Sequence, residues 1–573
     1  MNLRSDDINT DSPKPPTKAA RAFTVLGQPI IFDGTSSPIK RALFIIICAA
    51  WILPGLIGHD PWKPDEAMAF GIIHSMLKDG HWLLMTIAGE PNFDYPPLYY
   101  WVGAALSFIF SPVLPAHDGA RLATGFFMAL ALTYLYKTAT RLFDERAGRI
   151  AVLLMIGCLG LLVRGHQMNP EVAALAGISV AIYGMTRIRS EPRKGGVTTG
   201  IGAAIVALSV GIVPALAVPA IAVALMTFVG EWRNRDFRRG ILISLGVMLP
   251  LMMALPVLLM LNGNIDERVW TEAILGAPFL SAEHRGSIQP FYFLQILPWF
   301  ALPALPFALW LWARDRKKLR ERIELALPLV AFFTLLITLS LTREAGEARA
   351  LAMLIPLSLA AAMALDRLPG EVARIMDWFG LVFFGIVAVA LWFYWLVALT
   401  GFPERAAASF ARQVPDFTLS FNVFTFVLAV ALTLVWVYAV VRAHRNNRRA
   451  VVNWAAGITL VWVLANLLGQ PAVDHVLSHR TVTTTIASNI PANATCVASF
   501  GLGDSERASF DTFANLRFVP QFADKSGPCN WLLTQGSREH APVVDAAWQL
   551  AWEGARPRDK DERFRLYRRT DQK

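Results

Sequence analysis

Apolar runs of about 20 residues, separated by short clusters of Arg and Lys, fill most of the first 470 positions. A helix of that length spans the roughly 30 Å hydrocarbon core of a bilayer. The pattern predicts spans near 43–57, 121–139, 150–163, 172–186, 199–212, 215–229, 241–261, 291–313, 325–342, 350–366, 378–399, 417–441 and 451–468, about thirteen in all. From about 469 the chain turns polar, and strand-like pieces at Thr495–Phe500 and Trp531–Gln535 predict a small α/β domain over 469–573. The fold class expected is a polytopic α-helical membrane protein with a soluble C-terminal domain.

The basic clusters order the topology. Arg141–Arg149, Arg187–Lys194, Arg233–Arg239, Arg314–Arg322 and Arg442–Arg449 suit cytoplasmic loops, where Lys and Arg concentrate. Residues 1–40 then form a polar cytoplasmic arm, 41–468 the membrane domain, and the 59–97 loop and the terminal domain lie outside. Two apolar stretches, 98–114 and 121–139, separate that loop from Arg141, and parity allows one crossing. We therefore expect 98–114 to lie at the interface, with Tyr99, Tyr100 and Trp101 at headgroup depth. The N-terminus is cytoplasmic and the C-terminus extracytoplasmic in this arrangement.

Composition agrees. Of 573 residues 55% are hydrophobic and 17% charged, with mean hydropathy +0.44, which excludes a disordered chain and a large soluble enzyme. The net charge of +10 is explained by the cytoplasmic clusters and calls for no nucleic acid. Cys48 and Cys158 sit in apolar runs, whereas Cys496 and Cys529 lie at the ends of strand-like pieces in the polar region. An oxidising compartment favours a disulfide between the latter two.

Candidate chemistry gathers in the outer loops. The first begins His59-Asp60-Pro61-Trp62-Lys63-Pro64-Asp65-Glu66 and closes Asp94-Tyr95-Pro96-Pro97. Asp65 and Glu66 stand where helical spacing starts, so a helix-start role competes with a catalytic one. The second, Arg164 to Glu171, adds a cation, His166 and a carboxylate. The third holds Arg268, His284 and Arg285; the fourth holds Arg343 and Arg349. Arg facing outward runs against the positive-inside bias and points to an anionic partner, phosphate being the usual one. No P-loop, HExxH or CxxC is present, so nucleotide-driven pumping and a dedicated zinc site find no support.

These loops resemble the integral-membrane C-type glycosyltransferases. Asp65-Glu66, then Phe93-x-x-Pro96-Pro97-Leu98-x-Tyr100-Trp101, His166-x-Met168-x-x-Glu171, Leu297-Pro298-Trp299-Phe300 and Arg349 with Leu354-Ile355-Pro356-Leu357 are similar to the lipid A aminoarabinose transferases and the protein O-mannosyltransferases. The resemblance implies inverting transfer of a sugar from a polyprenyl-phosphate donor to lipid A or another envelope glycan or protein, with membrane lipids as surroundings. It implies catalytic roles for Asp65, Glu66 and Glu171, the last where relatives more often carry Asp. It implies substrate or phosphate contacts for Asp94, Tyr95, His166, Arg268, His284, Arg285, Arg343 and Arg349, and leaves a divalent metal open as cofactor. Two family lysines are replaced here, by Asp94-Tyr95 and by Val210 of Val210-Gly211, which weighs against aminoarabinose in particular. A transporter or flippase for a lipid-linked anion is the alternative, and it calls for repeats and buried mid-membrane charge.

Overall fold

The computed structural model describes residues 38–570 except 93, 262–287, 319–321, 343–344, 366, 443–446, 493, 495, 521–528, 538–543, 546, 558 and 560–561. Among these, six helices are long and apolar enough to cross a membrane, or seven with one bent pair: Pro170–Ile188, Arg235–Leu261, Ala348–Leu365, Gly370–Thr400, Val423–Arg442, Arg448–Ser488 and the pair Tyr292–Phe300 with Ala304–Arg314. Shorter apolar helices cover Arg41–Ile52, Leu98–Phe110, Ile212–Phe228 and Glu324–Ser340. Ala116–Leu142 is also helical but carries charge along its length.

Several expected spans differ in detail. The 291–313 stretch is two helices bent by 104°, the break falling at Pro303, which has no N–H to continue the ladder. The first helix ends at Ile52, before Pro54 and the positive-φ Gly55 and Gly58 turn the chain. Leu98–Phe110 has 13 residues, about 20 Å of helix at 1.5 Å per residue and short of the bilayer core. Its Tyr99 and Tyr100 are buried against the neighbouring helices. Beyond 469 the chain stays helical, through a π turn at Ala465–Gly469, Gln470–Leu477 and Arg480–Ser488; the sheet begins only at Val497.

Local chemistry sets the helix ends near the site. Asn169 caps Pro170–Ile188 by accepting the Glu171 N–H at 2.9 Å, with Pro170 in the first turn, where a missing N–H costs nothing. Small residues let this helix approach Pro192–Val210: a Cβ on Gly184 would meet the Thr199 nitrogen at 2.4 Å. Such contacts are how membrane helices gain dispersion energy without help from water.

The first loop folds into the Asp65–Asp79 helix and a two-stranded ribbon, β1 (Thr86–Ile87) and β2 (Glu90–Pro91). The terminal domain is a mixed five-stranded sheet of β3 (Val497–Phe500), β4 (Val519–Pro520), β5 (Trp531–Gly536), β6 (Trp548–Gly554) and β7 (Arg563–Arg569), in the order β4-β3-β5-β7-β6. β3 runs parallel to β4 and β5, and β7 antiparallel to β5 and β6. Helix Asp504–Ala514 connects β3 to β4 and packs Phe510 against Phe564 and Leu533. Because Val497 pairs with Trp531, the residues just before each strand are neighbours, and Cys496 and Cys529 are disulfide-bonded with Cα atoms 5.1 Å apart.

This domain docks on the first-loop helix. Gly71 sits against Ala508, whose Cβ would lie 2.5 Å from a Cβ placed on the glycine. Around it Lys78 bonds Asp511 at 2.8 Å, Arg517 bonds Asp79 at 2.6 Å, and Arg507 pairs with Glu90.

Candidate active site

Loops one, two and four close around a cavity of about 250 Å³ lined by Asp65, Asn92, Asp94, Tyr95, Arg164, Asn169, Glu171, Glu347 and Arg349, with Met68, Ile72 and Tyr100 as apolar wall. Asp65, Glu171 and Arg349, more than 280 positions apart at the extremes, thus face one space. The helix start explains why Asp65 does and Glu66 does not. Successive helical residues point about 100° apart, so Asp65 projects outward while Glu66 turns into the core.

Arg164 ties the loops together. One nitrogen lies 3.3 Å from Asp65 Oδ2 and also donates to Gln167 Oε1 at 3.1 Å; the other lies 3.1 Å from Glu347 Oε2. Arg349 Nε lies 3.5 Å from Glu171 Oε1, and Tyr95 hydrogen-bonds the same guanidinium. Burial pushes the Asp65 carboxyl above its ordinary value; Arg164 opposes this and the neighbouring Glu66 adds to it. Burial likewise drives the Tyr95 hydroxyl upward, with Glu171 reinforcing it, so Tyr95 serves as a neutral hydrogen-bonding group.

Two expected site residues stand elsewhere. Glu66 is 1% exposed and accepts from Arg121 Nε at 3.0 Å, Trp62 N at 3.1 Å and Met168 N at 3.1 Å. Burial pushes it up, but Arg121, His59 and the two backbone donors outweigh that and hold it below its usual range. It fastens the first loop to the second. His166 is buried between the rings of Trp51 and Trp462, centroids 4.5 and 4.4 Å away, with its nitrogens at the Leu162 and Trp51 carbonyls. Burial lowers it to about 4, against the pull of the two carbonyls, and with both nitrogens taken up by the backbone it is a packing group. Arg268, His284, Arg285 and Arg343 lie outside the described residues.

The sequence reading passed over Arg121 and Asp118, which pair at 2.9 Å inside Ala116–Leu142. An opposite-charge pair at i, i+3 at the head of a membrane-length helix was the available signal. It also passed over Asn92, Asn169 and Glu347, which nothing in their local pattern distinguishes.

A metal was left open. Among the described residues, the group whose ligand atoms converge is His479, Glu506 and Glu562, all within 4.8 Å of one another. It lies at the docking surface, away from the cavity. The Lys63 ammonium is wedged between its two carboxylates, 2.7 Å from Glu562, so these donors already hold a cation.

Residues 94–260 match the family of dolichyl-phosphate-mannose-protein mannosyltransferases. An undecaprenyl phosphate-alpha-4-amino-4-deoxy-L-arabinose arabinosyl transferase of Pseudomonas fluorescens is 24% identical over 369 residues, 60% of this chain and 63% of that relative. One of Pseudomonas savastanoi is 27% identical over 118 residues, 20% of this chain and 22% of the relative. The crystal structure of ArnT from Cupriavidus metallidurans bound to undecaprenyl phosphate superposes with a TM-score of 0.66 at 18% identity, covering 93% of this chain and 98% of that one; its apo state gives 0.65 at 17% identity, covering 92% and 97%. The matched fold spans membrane bundle and terminal domain alike.

Proposed function

We propose that this chain, a relative of the C-type integral-membrane glycosyltransferases of the aminoarabinose transferase and O-mannosyltransferase kind, transfers a sugar from a polyprenyl phosphate to an acceptor of the bacterial envelope, lipid A or another glycan or protein, on the periplasmic face. The observation that supports it best is the convergence of Asp65, Glu171, Arg164 and Arg349 on one cavity.

In the proposed step an acceptor oxygen attacks the anomeric carbon, and the bond from that carbon to the phosphate oxygen breaks. The electron pair leaves with the polyprenyl phosphate, and the acceptor proton passes to the Asp65 carboxylate. Inversion follows from single displacement. A carboxylate whose proton affinity is raised above its ordinary value is suited to that work. Arg349, and Arg164 beside it, stabilise charge as it grows on the departing phosphate. Glu171, held by Arg349, positions that guanidinium and offers an acceptor to sugar hydroxyls. A divalent ion, if bound, would share the phosphate charge with these arginines.

The cavity draws its charge from loop ends, not from helix centres, which favours surface chemistry over carriage through the membrane. Envelope lipids from a deletion strain, compared by mass spectrometry with the parent, should lose one sugar-bearing species and accumulate its acceptor. An unchanged lipid and glycan profile, together with no polyprenyl phosphate released by purified protein, would overturn the proposal.

A further inference from the structure

A second cavity, of about 610 Å³, shares no lining residue with the first. The helix that carries it, Pro38–Ile52, meets the His166 loop at Trp51 and pairs Arg41 with Glu145 at its start, 3.3 Å apart. The cleft runs between those ends. Its wall on this helix is the stripe 41, 44, 45, 48, 49 and 52, one face at helical spacing, about 16 Å long at 1.5 Å per residue. Leu132, Tyr136 and Val152 close the other side.

One end of this apolar cleft is strongly basic. Arg149 lines it and is 3% exposed, yet among the described residues its Nε has no hydrogen-bond partner and its Nη1 has only a long ion pair to Glu145. Its carboxylate neighbour Glu145, 3.5 Å away, is shared with Arg41. Two guanidinium groups therefore meet one carboxylate, and a buried guanidinium retains unsatisfied donors. A buried donor without an acceptor is costly, and a phosphate is the anion whose shape matches the guanidinium fork.

We propose that this cleft binds one anionic phospholipid, its acyl chain along the Phe44–Ile52 stripe and its headgroup phosphate on Arg149 and Arg41. The apolar length selects a lipid over inorganic phosphate. The single positive charge left by the triad selects an anionic lipid over a zwitterionic one. The site is separate from the Asp65 cavity, so it stands independently of the transfer reaction.

The test is native mass spectrometry of the full chain released from nanodiscs of phosphatidylglycerol or of phosphatidylcholine. The unaltered chain should retain one phosphatidylglycerol and little phosphatidylcholine. Arg149→Gln should lower retention about tenfold, the usual scale for one charge-assisted contact. Ala49→Trp, which fills the cleft and leaves both arginines, should lower it similarly. Arg41→Gln, at an exposed position, gives the same reading should Arg149→Gln fail to fold. Equal retention of the two lipids, or retention unchanged in Ala49→Trp and in the arginine variants, would overturn the proposal. So would displacement of the lipid by millimolar inorganic phosphate, which would show that the guanidinium pair reads phosphate alone.

Discussion

Arg164 Nη1 lies 3.3 Å from Asp65 Oδ2, across ninety-nine positions of sequence. The same side chain reaches Glu347, so one guanidinium holds the proposed base in register with two other loops. That arrangement makes Asp65 the residue whose neutralisation should be felt in turnover.

Asp65→Asn should lower kcat by about 10²–10⁴-fold, the usual cost of losing a positioned general base, while thermal stability changes little. Asp65 is half exposed, and the residue at the helix cap is Pro64, which makes no side-chain cap bond. Glu66→Gln should do the reverse. It weakens the acceptor that Arg121, Trp62 and Met168 share, while Arg121 keeps Asp118 at 2.9 Å, and should cost about 1–3 kcal/mol of stability. Steady-state kinetics and thermal melts on the two variants separate the roles; a fully active Asp65→Asn enzyme would move the base to Glu171.

The pH profile carries a second signature. Asp65 must be ionised to accept a proton, and its carboxyl is raised above 3.8, so kcat/KM should fall on an acid limb above that value. Arg164 is the influence that lowers it. Arg164→Met should therefore shift the limb to higher pH, measurable with a pH-independent donor concentration well below KM.

Arg349→Ala should raise the KM for the polyprenyl-phosphate donor and lower kcat, because phosphate charge grows toward the transition state. Arg349→Lys should restore only part of this, since an ammonium lacks the fork that reaches both Glu171 and the phosphate. Equal kinetics for both variants and the parent would remove Arg349 from the phosphate site.

Docking of the terminal domain should be acid-sensitive. Burial raises Glu506, but Lys63 and Ser505 bring it down to about 2. A depressed carboxyl contributes stability that is present above its unfolded value of 4.5 and is lost as pH falls toward 2. Lys63→Met should abolish that dependence and cost about 3 kcal/mol by stranding the buried Glu506, while Glu562 keeps Arg556 at 3.2 Å. Gly71→Val should loosen the same surface by steric means, with no change in its pH dependence. Limited proteolysis between the membrane bundle and residue 496 reads both.

Much of this was legible along the chain. Carboxylates at helix starts and Arg on outward loops mark positions where charge meets the membrane surface, and Asp65, Glu171 and Arg349 carried that mark. Adjacency concealed what separates Asp65 from Glu66, because a pair of neighbouring acids looks uniform until a helix turns them apart. His166 misled for a related reason. A histidine in a polar loop suggests chemistry, but here two tryptophans 411 positions apart, Trp51 and Trp462, enclose it. Long-range packing of that kind leaves no local pattern. The 104° bend was hidden as well, since proline within a membrane run permits a break without requiring one.

That enclosure of His166 has a consequence for the whole chain. Trp51 belongs to the first described helix and Trp462 to the last membrane helix, and Trp462 also donates to the Pro54 carbonyl at 2.9 Å. The first described helix and the last membrane helix therefore close on each other, and an imidazole between two indoles, with the Trp462–Pro54 hydrogen bond beside it, is part of the clasp. Removing the C-terminal segment from Asn447 onward would undo that closure as well as shorten the chain. The two fragments, expressed separately and split within 443–446, should find each other again through that clasp and through the packing of Trp454 on Phe379 and Phe384.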